Sequence, residues 1–159
     1  MGTIHKFSPT TPEEMRWSEV EKEAYSPNGV GSHMQRIISR KDGSQNIEFR
    51  YFMLNPTDRS NYEKHNYEHL VFIISGRGTI LLGDKDYEIG PNDAIFISCD
   101  EVHQLRAADD EPLAFLCIVL DKELRFVVHG EQYAELYDSI TGDFKKRREW
   151  KSYDEMIHR

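Results

Sequence analysis

No stretch of this chain approaches the roughly 18 consecutive apolar residues of a membrane span. The longest apolar run, Leu113 to Leu120, has the length of a strand. The N-terminus lacks the basic-then-apolar layout of a secretion signal, and Lys6 stands where a myristoylation site needs Ser or Thr. Cysteine is scarce: Cys99 and Cys117 are too few for a disulfide framework, so a reduced, cytoplasmic setting is expected. A basic excess is missing too, and the net charge of −8 argues against nucleic acid as the main partner. There is no internal repeat and no low-complexity segment. What is present is a 159-residue chain, 38% hydrophobic, the size of one globular domain with one core.

Residues 1–32 read as a lead-in segment. Thr11 can cap a helix, Pro12 suits its first position and Glu14 completes a capping box. The turn signal Ser26-Pro27-Asn28-Gly29 keeps that helix short. From His33 the apolar period changes to two. His33 to Arg40 is strand-like, and Lys41 to Ser44 is a turn. Ile47, Phe49, Tyr51 and Met53 then alternate with Glu48 and Arg50, the pattern of a half-buried strand. Further short β-rich runs follow at Leu70–Ile74, Thr79–Leu82, Tyr87–Ile89, Ala94–Ser98, His103–Ala107 and Leu113–Leu120, separated by Gly-, Pro-, Asn- and Asp-rich turns. Strands this short and evenly spaced predict an all-β, antiparallel sandwich or barrel over 33–120. In 121–159 the spacing becomes helical: Tyr133, Leu136, Tyr137 and Ile140, then Trp150, Tyr153 and Ile157, predict a helical extension. Lys145 to Arg148 is read as a solvated helix face.

The histidines concentrate in Glu63-Lys-His65-Asn-Tyr-Glu-His69, with His103 further on. A pair spaced as His65 and His69 is unspecific by itself. His5, His33, His129 and His158 are read as surface residues. A helical site of the zinc-protease kind would need Glu directly after the first His, and Asn66 is there. The β-rich run after His69 favours strand. On a strand, residues 63, 65 and 69 share a face, but full extension at roughly 3.3 Å per residue would hold His65 and His69 about 13 Å apart. One ion binding at about 2.1 Å cannot span that. A bend at Asn66-Tyr67 is therefore predicted, with His103 arriving from a neighbouring strand. Cys117 reads as a packed thiol and Cys99 as a bystander, although its place four residues before His103 could bring it near the site.

Residues 55–120 resemble the cupin superfamily of small β-barrels. In its first motif a His-x-His pair is followed by Glu and then, six residues on, by Gly. Here His65 matches the second His, His69 stands where Glu is usual, Gly76 follows, and Glu63 occupies the first-His position. The likeness is nearest to small single-domain bacterial cupins with the pattern His-x-His-x-Trp-Glu-His-x-x-Phe-x-Leu-x-Gly, in which the His after Trp-Glu is a ligand. Tyr67 replaces the Trp. His103 matches the metal His of the second motif, whose Gly, Pro and Gly positions hold Asn92, Ser98 and Asp100, and whose final Asn is Ala107.

The resemblance implies a cupin barrel (a jelly roll, or double-stranded β-helix) binding one divalent metal through Glu63, His65, His69 and His103. Three imidazoles and a carboxylate suit Mn, Fe, Ni, Co or Zn. Catalytic support is expected from Glu63, which could also act as a base, and from Tyr67, Gln104 and Arg106, with Tyr62 nearby. The expected activity is dioxygenase-like, on a small oxygen-rich organic molecule. A redox-neutral isomerase or lyase acting on a sugar acid, and a non-catalytic sensor or ligand-binding barrel, are the alternatives. The expected partners are a small-molecule substrate or ligand and a second copy of the chain in a homodimer, with no membrane.

Overall fold

The computed structural model describes residues 2–7, 17, 19–25, 31–121 and 127–129. Among these residues, β-branched and aromatic side chains, cut at short intervals by turn residues, fold into eleven strands. These are β1 (Lys22–Ala24), β2 (His33–Ile38), β3 (Ile47–Leu54), β4 (Glu63–His65), β5 (His69–Ser75), β6 (Gly78–Leu82), β7 (Lys85–Ile89), β8 (Ala94–Ile97), β9 (His103–Ala107), β10 (Leu113–Leu120) and β11 (Val127–His129). Every pairing is antiparallel. One six-stranded sheet runs β1-β2-β3-β10-β5-β8, and one five-stranded sheet runs β11-β4-β9-β6-β7.

The space between the sheets is filled by Met34, Phe52, Leu54, Val71, Ile73, Ile80, Ile97, Leu105, Leu113 and Phe115, among others. Phe52 and Phe115 stack at 5.1 Å between centroids. A smaller cluster of Ile37, Tyr51, Met53 and Ala114 lies on the other face of the larger sheet. Trp17 packs edge-on to Tyr51 there at 5.7 Å. The Gln35 amide clamps that lead-in segment by donating to the carbonyls of Trp17 and Val20 at 2.8 and 2.7 Å.

The all-β antiparallel architecture agrees with the sequence. The helices expected from Tyr133 and Trp150, and the start of the one expected at Thr11, lie outside the described residues. The stretch before the Ser26 turn is not helical: Trp17 forms a β-bridge with Phe7, and Lys22–Ala24 is strand β1, drawn into the sheet by β2. Among the described residues the one helical turn is a 3-10 turn at Arg40–Asp42, closed at its start by a Ser39–Asp42 capping box and at its end by Gly43 at φ +89°. No helix among them is long and apolar enough to cross a membrane. Strands β1 and β11 lie outside the 33–120 span read as the barrel.

Strand β3 alternates as expected, but its polar set is the inward one. Glu48 and Arg50 are 2% and 9% exposed, while Ile47 is 45% exposed. Arg50 shares its strand face with Phe52 and Leu54 of the main core. The barrel interior is apolar in the middle and polar at the end that houses the site.

Candidate metal centre

Strand β4 belongs to the smaller sheet and β5 to the larger. The chain crosses between them at Asn66 and Tyr67, where it bends as the length argument required. The crossing swings His65 and His69 face to face, with ring centroids 4.3 Å apart. His103 opens β9 directly opposite Glu63, and its ring stands 4.8 Å from His65 and 5.2 Å from His69. Asp100 donates its backbone N–H to the His65 carbonyl at 2.7 Å, tying the β8–β9 turn to β4. The turns on either side of β8 each use a left-handed non-glycine residue, Asn92 at φ +74° between β7 and β8 and Asp100 at φ +60° between β8 and β9. These are the motif positions that hold Gly in the resembling family. Asn and Asp are the side-chain-bearing residues that tolerate this conformation best.

All three imidazoles are buried. His65 Nδ1 lies 2.8 Å from the Tyr67 carbonyl and His103 Nδ1 lies 2.9 Å from the Glu101 carbonyl. A carbonyl only accepts, so both rings carry their proton on Nδ1 and present the Nε2 lone pair inward. Neither of these Nε2 atoms has a hydrogen-bond partner. His69 Nδ1 faces the Cys117 thiol at 3.7 Å. Burial, with the His103 imidazole beside it, pushes His65 down to about 3, so this ring is neutral at physiological pH.

Buried imidazoles with inward lone pairs fit a transition metal. Their donor atoms lie within 4.8 Å of one another. Two donors at about 2.1 Å from one ion stand at most about 4.2 Å apart, so the widest pair needs to close by roughly half an ångström. Glu63 Oε1 is 3.9 Å from His103 Nε2, within the reach of a shared ion. Tyr67 stacks on His65 at 3.8 Å and 5° and fixes its plane. The Nδ1 acceptors and this stacked ring are the outer support that orients metal-binding histidines.

The site opens onto a cavity of about 180 Å³ lined by Tyr25, Arg50, Phe52, Ser60, Asn61, Glu63, Tyr67, His69, Val71, His103, Leu105, Phe115 and Cys117. The space equals about six waters. Of the residues singled out from sequence, Glu63, His65, His69, His103 and Tyr67 come together. Gln104 and Arg106 lie on the other face of β9 from His103. Gln104 donates to the Ser60 carbonyl at 3.0 Å and accepts from Arg106 Nε at 3.0 Å, and Arg106 reaches Asp86 at 3.1 Å. Tyr62 is 41% exposed. Cys99 contacts the Asn66 carbonyl at 3.5 Å.

Sequence reasoning missed Tyr25, Arg50 and Cys117 as cavity residues. The available signal was phase: Cys117 falls in step with Phe115 and Val119, and Arg50 with Phe52. His33, read as a surface residue, is 6% exposed, its ring packed 6.1 Å from that of Tyr51 in the second apolar cluster. His5 is only part-buried and bonds Asp42 at 2.6 Å.

A family model described as the cupin domain matches residues 50–119. A protein named 1-methylthio-D-xylulose 5-phosphate methylsulfurylase, from Rhodospirillum rubrum, is 34% identical over 109 residues, 67% of this chain and 69% of that one. Among solved structures, a cupin-2 domain protein of R. rubrum has a TM-score of 0.64 at 28% identity, over 84% of this chain and 92% of that one. A cupin 2 conserved barrel domain protein of Rhodopseudomonas palustris has a TM-score of 0.62 at 28% identity, over 72% and 79% of the two chains.

Proposed function

This chain belongs to the cupin family, and from that premise we propose that it is a mononuclear metal-dependent enzyme acting on a small oxygen-rich molecule. The observation that carries the reading is the convergence of three buried imidazoles, with Glu63 beside them, at the wall of a cavity. We assign His65, His69, His103 and Glu63 as the residues that would hold one Mn, Fe, Co, Ni or Zn ion. When bound, that ion supplies Lewis-acid polarisation of a substrate carbonyl or support for dioxygen chemistry.

The residues themselves suit a redox-neutral reaction. Swinging off the ion, the Glu63 carboxylate would take a proton from a substrate carbon or hydroxyl. Tyr67 holds His65 in plane, and Val71, Leu105 and Phe115 keep bulk water from the reacting atoms. The Cys117 thiol faces the same cavity and is the nucleophile it offers. An oxidisable sulfur against a ligand ring suits proton transfer or cleavage at a carbonyl-activated carbon better than oxygen chemistry. The methylsulfurylase relative is named for a methylthio sugar phosphate, which supports a small oxygen-rich substrate. A dioxygenase-like reaction is the second reading, favoured by the carboxylate beside three histidines. Gln104 and Arg106 would act by bracing the Ser60 loop.

We also propose a homodimer. Leu70, Phe72, Phe96 and Ile118 are exposed on one face of the larger sheet, with Ile118, Leu70 and Phe96 in one cross-strand row. An apolar face of this kind is characteristic of an interface.

Metal analysis by mass spectrometry on purified wild type and His69→Ala tests the central reading. The expected result is near-stoichiometric metal that His69→Ala loses. Wild type without metal after reconstitution with Mn, Fe, Co, Ni or Zn would overturn it. An oxygen electrode run with candidate hydroxyketones, enols and flavonols separates the two reaction types.

A further inference from the structure

The buried guanidinium of Arg50 is not explained by the metal centre. On β3 it lies in register between Arg36 of β2 and Cys117 of β10. Its side chain enters the barrel and lines the cavity that His69, His103 and Glu63 also line. Nη2 donates to Cys117 Sγ at 3.5 Å, and the guanidinium carbon sits 5.1 Å from the centre of the Phe52 ring. Nε is buried with no hydrogen-bond partner. Buried Glu48, two residues earlier on the same strand face, attracts the guanidinium but is shared with Arg36 at 3.7 Å, and among the described residues no carboxylate pairs with Arg50 within 4.0 Å. A guanidinium carries five N–H donors, and a sulfur is a weak acceptor for one of them. A charge in this state is costly unless something else completes it.

The neighbouring centre sharpens the point. With a divalent ion in place, Glu63 would offset one charge, Arg50 adds one back, and Glu48 is divided between Arg50 and Arg36, so the cavity keeps a positive excess. Water does not cancel it, and an anionic occupant does. The planar fork of arginine is suited to paired contacts with a carboxylate or phosphate.

We propose that Arg50 is the anion-recognition residue of this cavity: the substrate carries a carboxylate or phosphate that the guanidinium binds, while its adjacent oxygens face the histidines and Glu63. The inference rests on the metal-enzyme reading for the second half of that statement only. The cavity of about 180 Å³ confines the occupant to a small organic anion. Specificity then has two parts, oxygens read at the histidines and charge read at Arg50.

The test is calorimetric titration of wild type, Arg50→Met and Arg50→Lys with oxalate, inorganic phosphate and the neutral diol ethylene glycol. Each protein is titrated both metal-free and metal-loaded. Wild type is expected to bind oxalate or phosphate and not ethylene glycol, in the metal-free state as well. The preferred anion tells carboxylate from phosphate. Arg50→Met should lose at least about tenfold in affinity while its metal content stays at the wild-type level, a separation that general misfolding would not give. Arg50→Lys keeps the charge without the fork and should fall between the two, and it carries the test alone should Arg50→Met not fold. Unaltered anion affinity in both variants overturns the proposal, as does the absence of anion binding by wild type in both states. A wild type that takes up no metal yet binds anions through Arg50 sinks the metal-enzyme reading and leaves this one standing.

Discussion

A metal ion at this site stabilises the fold by an amount that follows from binding alone. A ligand that binds only the native state adds RT ln(1 + [L]/Kd), about 2.7 kcal/mol at a hundredfold excess over Kd. For a chain of 159 residues each kcal/mol moves Tm by roughly 2–4 °C, so saturating metal should raise Tm by about 5–11 °C over the EDTA-treated protein. The same arithmetic gives His69→Ala an unusual profile. Without metal, the substitution removes a buried ring next to an existing cavity, and its cost is held to within about 1 kcal/mol because a buried polar ring is removed with it. With metal, the whole increment disappears. Thermal melts of both proteins, with EDTA and with each candidate ion, read the four states directly. A wild-type Tm that no ion moves, or a His69→Ala melt that still climbs with metal, would refute the reasoning.

Acid should destabilise the metal-free protein through His65. Its folded value is near 3 because of burial and the adjacent His103 imidazole, and an unfolded histidine titrates near 6.5. Between those values the unfolded chain holds the extra proton, so stability falls as pH drops, by up to about 1.4 kcal/mol per unit. Urea melts of wild type and His65→Gln from pH 7 to 4 check this, and equal slopes would remove the effect. Gly76→Ala should cost at least about 2 kcal/mol by chemical denaturation, because Gly76 sits at φ +78° and a Cβ there would lie 1.8 Å from the Pro112 carbonyl oxygen. Cys117→Ser should leave metal content intact and cut turnover at least tenfold once a substrate is in hand, and unchanged turnover would take the thiol out of the chemistry. Light scattering should return twice the chain mass for wild type and a monomer for Phe96→Glu, since Phe96 is 53% exposed on the apolar sheet face. A monomeric wild type would remove the dimer.

Much of the fold could be read from residue order, because β5, β6, β8 and β10 are largely apolar runs bounded by turn residues, and these and β9 start within two residues of where pattern places them. The bend at Asn66-Tyr67 was also readable, from the reach of an extended chain against the radius of an ion. Other features were hidden for physical reasons. Strand β4 is three residues of Glu-Lys-His, whose strand state comes from β9 and β11 rather than from propensity. Strand β1 draws its pairing from β2 in the same way. Arg50 was hidden by a sign ambiguity, since period two says that two faces differ and not which one is inside, while Cys117 was read as packed but sits in a run apolar on both faces, which does not say which face lines the cavity. Apolar residues inside is the usual resolution, and β3 breaks it because the barrel end that carries the site is polar.

The crossing of the chain between the two sheets makes the histidine spacing a gauge of how far apart those sheets stand. His65 is anchored in one layer and His69 in the other, with three residues between them. The donor separation is therefore set by the thickness of the apolar filling, by side chains such as Ile80 and Leu113 that touch no ligand. Trimming that filling should change which ionic radius the three imidazoles can enclose, so the metal preference of such a centre would be a property of the packing as much as of its donors.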